Sequence, residues 1–183
     1  MNILLGITGS IAAYKAADIA NSLTKEGHCV KTIMTKGGAA FITPLTLQTL
    51  TKQPVYTDVF CEDDPSVVQH IALAQWADVV LIAPASADII AKLAAGIADD
   101  MLSTTLLAAW KKPRIVCPAM NTDMYENPVT QRNLKTLAEL GFEFVEPKSD
   151  MLACGVVGKG ALANIPDILE AVKAAGLAGG EKA

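Results

Sequence analysis

Cys154 is flanked by Ala153 and Gly155, with Gly158 and Gly160 close behind. A thiol among glycines can ride on a segment that moves, and can deliver a proton or act as a nucleophile. The same residue is equally a tolerated loop cysteine. Upstream, Asn121 stands in the Pro-flanked run PAMNTDMYENP, where its amide can bind a ligand or do no more than cap a short helix. Its neighbours Met120, Met124 and Tyr125 make a soft apolar wall that would suit a flat aromatic cofactor, although such a stripe is more often core. His70 carries an imidazole that suits proton transfer near neutral pH. Placed after the acidic Glu62-Asp63-Asp64, it also reads as a surface residue. His28 starts a strand and receives no role.

A further site is the turn Gly9-Ser10 in GITGSI. Backbone N–H groups and a hydroxyl at a helix start form a natural cradle for a phosphate. The segment has neither the GxGxxG spacing of a dinucleotide fingerprint nor the GxxxxGK[ST] spacing of a P-loop, so an ordinary strand-to-helix turn with a serine cap is the competing reading. Lys15, further along, reads as a solvated or interface residue. Cys29 and Cys117 fall in strands as small hydrophobes, and Cys61 in a polar loop. The four cysteines form no CxxC pair, so neither a zinc site nor a disulfide framework is expected, and no metal is assigned.

The elements that must position these residues alternate. Apolar runs at Asn2 to Thr8, His28 to Thr35, Ala77 to Ala83, Arg114 to Cys117 and Phe142 to Val145 read as buried parallel strands. Between them lie helices from Ile11 to Glu26, from Thr43-Pro44, from Ser86 to about Ala95, from Asp99-Asp100 to Trp110, and from Asn127-Pro128 to Leu140, with a last helix from Ile165 to Ala175. Gly37-Gly38 reads as a break, the stretch Gly155, Gly158 and Gly160 as a mobile loop, and 177–183 as a frayed tail after a single domain over 1–176. This pattern predicts an α/β three-layer sandwich, a central parallel sheet covered by helices on both sides. Ligands bind such sheets at the carboxyl ends of the strands, where Gly9-Ser10, Pro84 to Asp88 and Pro118 to Thr122 all carry turn chemistry.

Bulk properties set limits. The chain has 183 residues, net charge -4, 51% hydrophobic and 19% charged residues. No Lys/Arg block marks a nucleic-acid partner, and no apolar run spans a bilayer. The Ala-rich apolar excess favours a homo-oligomer. The opening MNILLGITGS reads as a strand rather than a leader, predicting a cytoplasmic protein.

Taken in order, GSIAAYK, the His70 region, APASAD, PAMNTDMY and ACGVVGKG resemble the homo-oligomeric flavin-containing cysteine decarboxylases. The resemblance runs from Met1 to about Ala175. It implies a flavodoxin-like, or Rossmann-like, subunit assembled as a trimer, or four trimers in a dodecamer, with FMN between subunits. Gly9 and Ser10 then match the loop at the FMN phosphate, Thr35 a hydroxyl at the second strand end, and Ser86, Ala87 and Asp88 the loop touching the flavin. Ala119 and Met120 lie beside the ring. His70 matches the catalytic base, Asn121 the residue that holds the substrate carboxylate, and Cys154 the proton donor.

The implied reaction is redox-neutral decarboxylation of the small-molecule substrate 4'-phosphopantothenoylcysteine to 4'-phosphopantetheine in coenzyme A biosynthesis. It passes through a thioaldehyde and an enethiol, with a separate phosphopantothenoylcysteine synthetase as pathway neighbour. Val156, Ala161, Asn164 and Gln75 depart from the residues usual in relatives, near presumed substrate contacts. The alternatives are a peptidyl-cysteine decarboxylase of lantibiotic maturation and a non-catalytic, phosphatase-regulating flavoprotein.

Overall fold

The computed structural model describes residues 1–61, 64, 66–151, 155 and 157–180. Eight strands and nine α-helices are assigned among them: β1 Asn2–Ile7, α1 Lys15–Lys25, β2 Cys29–Met34, α2 Lys36–Phe41, α3 Pro44–Thr51, β3 Val55–Tyr56, α4 Gln69–Trp76, β4 Val79–Ala85, α5 Ala87–Ala95, α6 Met101–Ala108, β5 Arg114–Pro118, α7 Thr122–Glu126, α8 Pro128–Glu139, β6 Glu143–Phe144, β7 Lys148–Met151, β8 Val157–Ala161 and α9 Ile165–Gly180. Six strands form one parallel sheet in the order β3-β2-β1-β4-β5-β6. Apart from the two-residue edge strand β3, this is the doubly wound order of flavodoxin-like sheets, with its switch point between β1 and β4.

Strand alternation divides the core into two layers. Ile3, Leu5 and Ile7 of β1 face a cluster with Ala16, Ile19, Ala20 and Leu23 of α1 and Ile168 and Val172 of α9. Leu4 faces the other cluster, with Leu73 of α4, Ile89 and Ile90 of α5, Leu102 and Leu106 of α6, and Leu134 and Leu137 of α8. The α1 positions recur at helical spacing, which is why that helix forms and buries one stripe. Helix ends carry the expected caps. Asp100 and Ser103 close a capping box at α6, Ser86 caps α5, and Gly141, at φ +81, follows α8.

Four expectations change. The first helix opens as a 3-10 turn over Ile11–Tyr14 before α1 begins. Gly37-Gly38 lies beyond the end of β2, as expected, but within a short helix, α2, where a Cβ on Gly38 would sit 2.5 Å from the Ile7 carbonyl oxygen. Gly158 and Gly160 belong to β8, which pairs antiparallel with β7, so part of the expected loop is a hairpin strand. Helix α9 continues to Gly180, past the expected start of the tail.

Candidate functional site

The crevice at the switch point is built by one buried hydroxyl. Thr8, directly after β1, donates from Oγ1 to the Pro84 carbonyl at 2.7 Å and accepts from the Ser86 N–H at 2.9 Å. The end of β4 and the start of α5 are thereby fixed to the Gly9-Ser10 turn. Ser10 caps the 3-10 turn by accepting from the Ala12 N–H at 3.3 Å. On the other side, Gly9 packs against Gly37, and a Cβ on Gly9 would lie 3.2 Å from the Gly37 Cα. Thr35 caps α2 by accepting from the Gly38 N–H at 3.1 Å.

The third wall comes from the end of β5. The Ala119 N–H donates to Ala85 O at 3.0 Å, and the Met120 N–H donates to Gly160 O at 2.9 Å. Gly160, at φ +148, lies so close to Met120 that a Cβ would collide with its carbonyl oxygen. Asn121 caps α7, its Oδ1 accepting from the N–H groups of Asp123 at 2.9 Å and Met124 at 3.4 Å. That bidentate cap fixes the amide in one rotamer.

These walls enclose a cavity of about 540 Å³, within the size range of cofactor sites, roughly 300–1,000 Å³. Gly9, Ser10, Ser86, Ala87, Ala119, Met120 and Asn121, all singled out in the sequence, line it. Thr35 and Asp88 do not. Thr35 is spent on the α2 cap, and Asp88 is exposed and pairs with Lys92 at 3.6 Å. Tyr125 is also not part of the wall. It is buried in the core, and its hydroxyl donates to Glu146 at 3.0 Å.

His70 lies in the first turn of α4, half-buried, with Nδ1 buried and without a hydrogen-bond partner. It does not line this cavity. Cys154 and Val156 lie outside the described residues. Gln75 is exposed and its carbonyl accepts from Lys112 at 3.2 Å. Asn164 pairs with Asp167 at 3.2 Å. Cys117 is buried, and that burial pushes its thiol far above the ordinary range.

Several lining residues are not singled out by the sequence. Ile11, Phe41 and Leu162 supply apolar wall, and Asp150 and Met151 come from β7. Lys15, read from the sequence as a solvated or interface residue, also lines the cavity. Its ammonium lies 5.8 Å from the Tyr14 ring centroid. The Asp150 carboxyl is held below the usual range, chiefly by Lys148 at 2.8 Å, with Lys15 adding to the effect. Ile11, directly after the Ser10 cap, is the one apolar residue here whose place in the sequence could have marked it. Among the described residues, no group of three or more His, Cys, Asp or Glu is placed to hold a metal.

The arrangement fits a flat, anionic cofactor: N–H donors at a helix start, a lysine beside them, and an apolar wall of Met120, Met124, Phe41 and Leu162. A family model described as Flavoprotein matches residues 1–176. The chain is 52% identical over 172 residues to a probable phosphopantothenoylcysteine decarboxylase of Streptococcus mutans, covering 93% of this chain and 96% of that protein. It is 49% identical over 169 residues to a coenzyme A biosynthesis bifunctional protein of Bacillus subtilis, covering 92% of this chain but 41% of that longer protein. Its fold is similar to a PPC decarboxylase cysteine-to-serine mutant complexed with pantothenoylaminoethenethiol, at 37% identity and TM-score 0.86 over 94% of this chain and 96% of that one. It is also similar to the FMN-dependent cysteine decarboxylase SpaF, at 32% identity and TM-score 0.85 over 98% and 97% of the two chains.

Proposed function

The chain belongs to the flavoprotein family, and on that premise we propose that it is an FMN-dependent carboxy-lyase converting 4'-phosphopantothenoylcysteine to 4'-phosphopantetheine and CO2 in coenzyme A biosynthesis. The observation that carries the reading is the convergence of Gly9-Ser10, Ser86-Ala87 and Ala119–Asn121 on one cavity at the switch point.

Bound there, FMN supplies the two-electron exchange that turns the thiol-bearing carbon into an electron sink for decarboxylation and then restores it. The N–H groups after Gly9 hold the FMN phosphate, and Met120 and Ala119 pack beside its ring. Asn121, oriented by its own cap, binds the substrate carboxylate by donation from Nδ2. His70 accepts the proton of the substrate thiol, and Cys154 returns a proton to the enethiol carbon.

His70 is absent from the cavity of its own chain. The exposed Ile11, Tyr14 and Phe41 at the cavity support a homo-oligomer, a trimer or a dodecamer of four trimers, in which a neighbour's His70 completes the site. The fused relatives support the synthetase as pathway neighbour, and a cytoplasmic setting follows from that pathway. Among the described residues no helix is long and apolar enough to cross a membrane.

The test is mass spectrometry of phosphopantothenoylcysteine incubated with the FMN-loaded protein. Phosphopantetheine is the expected product. FMN bound without any product would overturn the assignment and direct attention to peptides ending in cysteine.

A further inference from the structure

A second cavity, of about 200 Å³, shares no lining residue with the first. Its walls come from α5, α6 and the segment between α8 and β6, and they are almost wholly apolar: Leu93, Ile97, Leu106, Leu107, Trp110 and Phe142. Leu107 and Trp110 stand 56% and 63% exposed at this face. One cation lies among the lining residues, Arg114, which opens β5 and is only 9% exposed.

The guanidinium of Arg114 is incompletely satisfied. Nη2 donates to the Leu140 carbonyl at 2.8 Å, capping the end of α8, and the group lies 4.1 Å from the centroid of the Phe142 ring. Nε is buried without a hydrogen-bond partner, and among the described residues no carboxylate forms an ion pair with Arg114. A cap on one carbonyl uses one of five N–H donors, and buried charges are ordinarily paired. Burial alone lowers the guanidinium's pKa, but an arginine remains protonated at neutral pH.

We propose that this cavity is a second ligand site, for a small monocarboxylate with an apolar tail, in which Arg114 is the partner of the carboxylate. A planar carboxylate matches the guanidinium fork, and the aliphatic and aromatic walls take the tail. A phosphate dianion fits poorly. The cavity offers one cation, and its single hydroxyl, Ser103, is already engaged with Asp100 in the α6 capping box.

The test is calorimetric titration of the FMN-loaded protein at pH 8 with sodium hexanoate, 1-hexanol and hexylamine. Hexanoate should bind roughly tenfold or more tighter than hexanol, the gain of a charge-assisted bond, and hexylamine should bind weakest. Arg114→Met should erase the preference for hexanoate, and Arg114→Lys should retain part of it. Should both Arg114 variants misfold, Leu107→Asp, an exposed change at the mouth, should weaken hexanoate selectively by placing a like charge there. Equal binding of hexanoate and hexanol, or no binding of either, would overturn the proposal. So would an assembly that loses mass in Leu107→Asp while hexanoate fails to bind, since the face would then be a contact between copies of the chain.

Discussion

The Thr8 hydroxyl bridges the switch point to Ser86, accepting its N–H at 2.9 Å while donating to Pro84 O at 2.7 Å. Thr8 is 1% exposed, so water cannot replace either bond. Two walls of the first cavity therefore share one side chain that does not itself line it.

Thr8→Val keeps the shape and removes both bonds. Each buried group left unsatisfied costs about 1–3 kcal/mol. The thermal midpoint should fall by several degrees, at roughly 2–4 °C per kcal/mol for a domain of this size. FMN should also dissociate roughly tenfold more readily, since about 1.4 kcal/mol lost at the cradle is a factor of ten. Thr8→Ser should restore FMN affinity. Flavin fluorescence on dilution reads the affinity, and unaltered affinity in Thr8→Val would show that the bridge does not position the cradle.

Glycine marks a second tight approach. A side chain on Gly160 would strike the Met120 carbonyl, and its φ of +148 is unfavourable for any L residue. Gly160→Ala should push β8 away from Met120, break the Met120 N–H bond to Gly160 O, and lower kcat/KM without releasing FMN from the opposite wall. Hydrogen exchange at Met120 would report the lost bond. Gly155→Ala, where nothing lies within 4 Å of the added Cβ, serves as a control for strain without collision.

Much of the scaffold is legible in sequence because its signals are local. The fully apolar β4 and the caps at Ser86, Asp100 and Asn127 state strand and helix starts within a few residues. What escapes is long-range. Gly38 marks the end of an apolar run, but what makes glycine necessary there is the close approach of Ile7, thirty-one positions earlier in the chain. Tyr125 follows Met124 in a stripe that suggests a ligand wall. A carboxylate at Glu146 draws its hydroxyl into the core side instead. Lys15 is one turn from Ser10, and only the folding back of β7 and β8 encloses it in a cavity.

The hairpin carries a pH dependence. Glu146 accepts from Lys159 at 2.7 Å and from Tyr125 at 3.0 Å. The Lys159 bond first, then the Tyr125 bond, hold its carboxyl below the usual glutamate range. A carboxyl lowered in the fold contributes its stability above its unfolded value, and that contribution is lost as pH falls through the folded value. Glu146 is largely exposed, so the global midpoint should scarcely move. Locally, amide exchange in β8 should quicken relative to β1 as the solution is acidified below the ordinary glutamate range. Glu146→Gln should show the quickened exchange already at neutral pH. A β8 exchange rate that follows β1 at every pH would exclude this latch.

Catalytic roles can be separated by where each variant stops. His70 offers a buried Nδ1 without a partner on a helix outside its own cavity, so its loss should leave the FMN cradle intact. His70→Asn should bind FMN normally and form no CO2 from phosphopantothenoylcysteine. Cys154→Ser should release CO2 and halt at the enethiol, because proton return to carbon is the step that the thiol serves. Mixing the two variants gives a sharper test, because subunits that exchange place an intact His70 of one chain beside the intact Cys154 of another. If the site is completed by a neighbour, mixed oligomers should recover a measurable fraction of turnover that neither parent shows. Equal inactivity of the mixture, with exchange verified by mass, would place His70 and Cys154 in the same chain's site and remove the need for a neighbour.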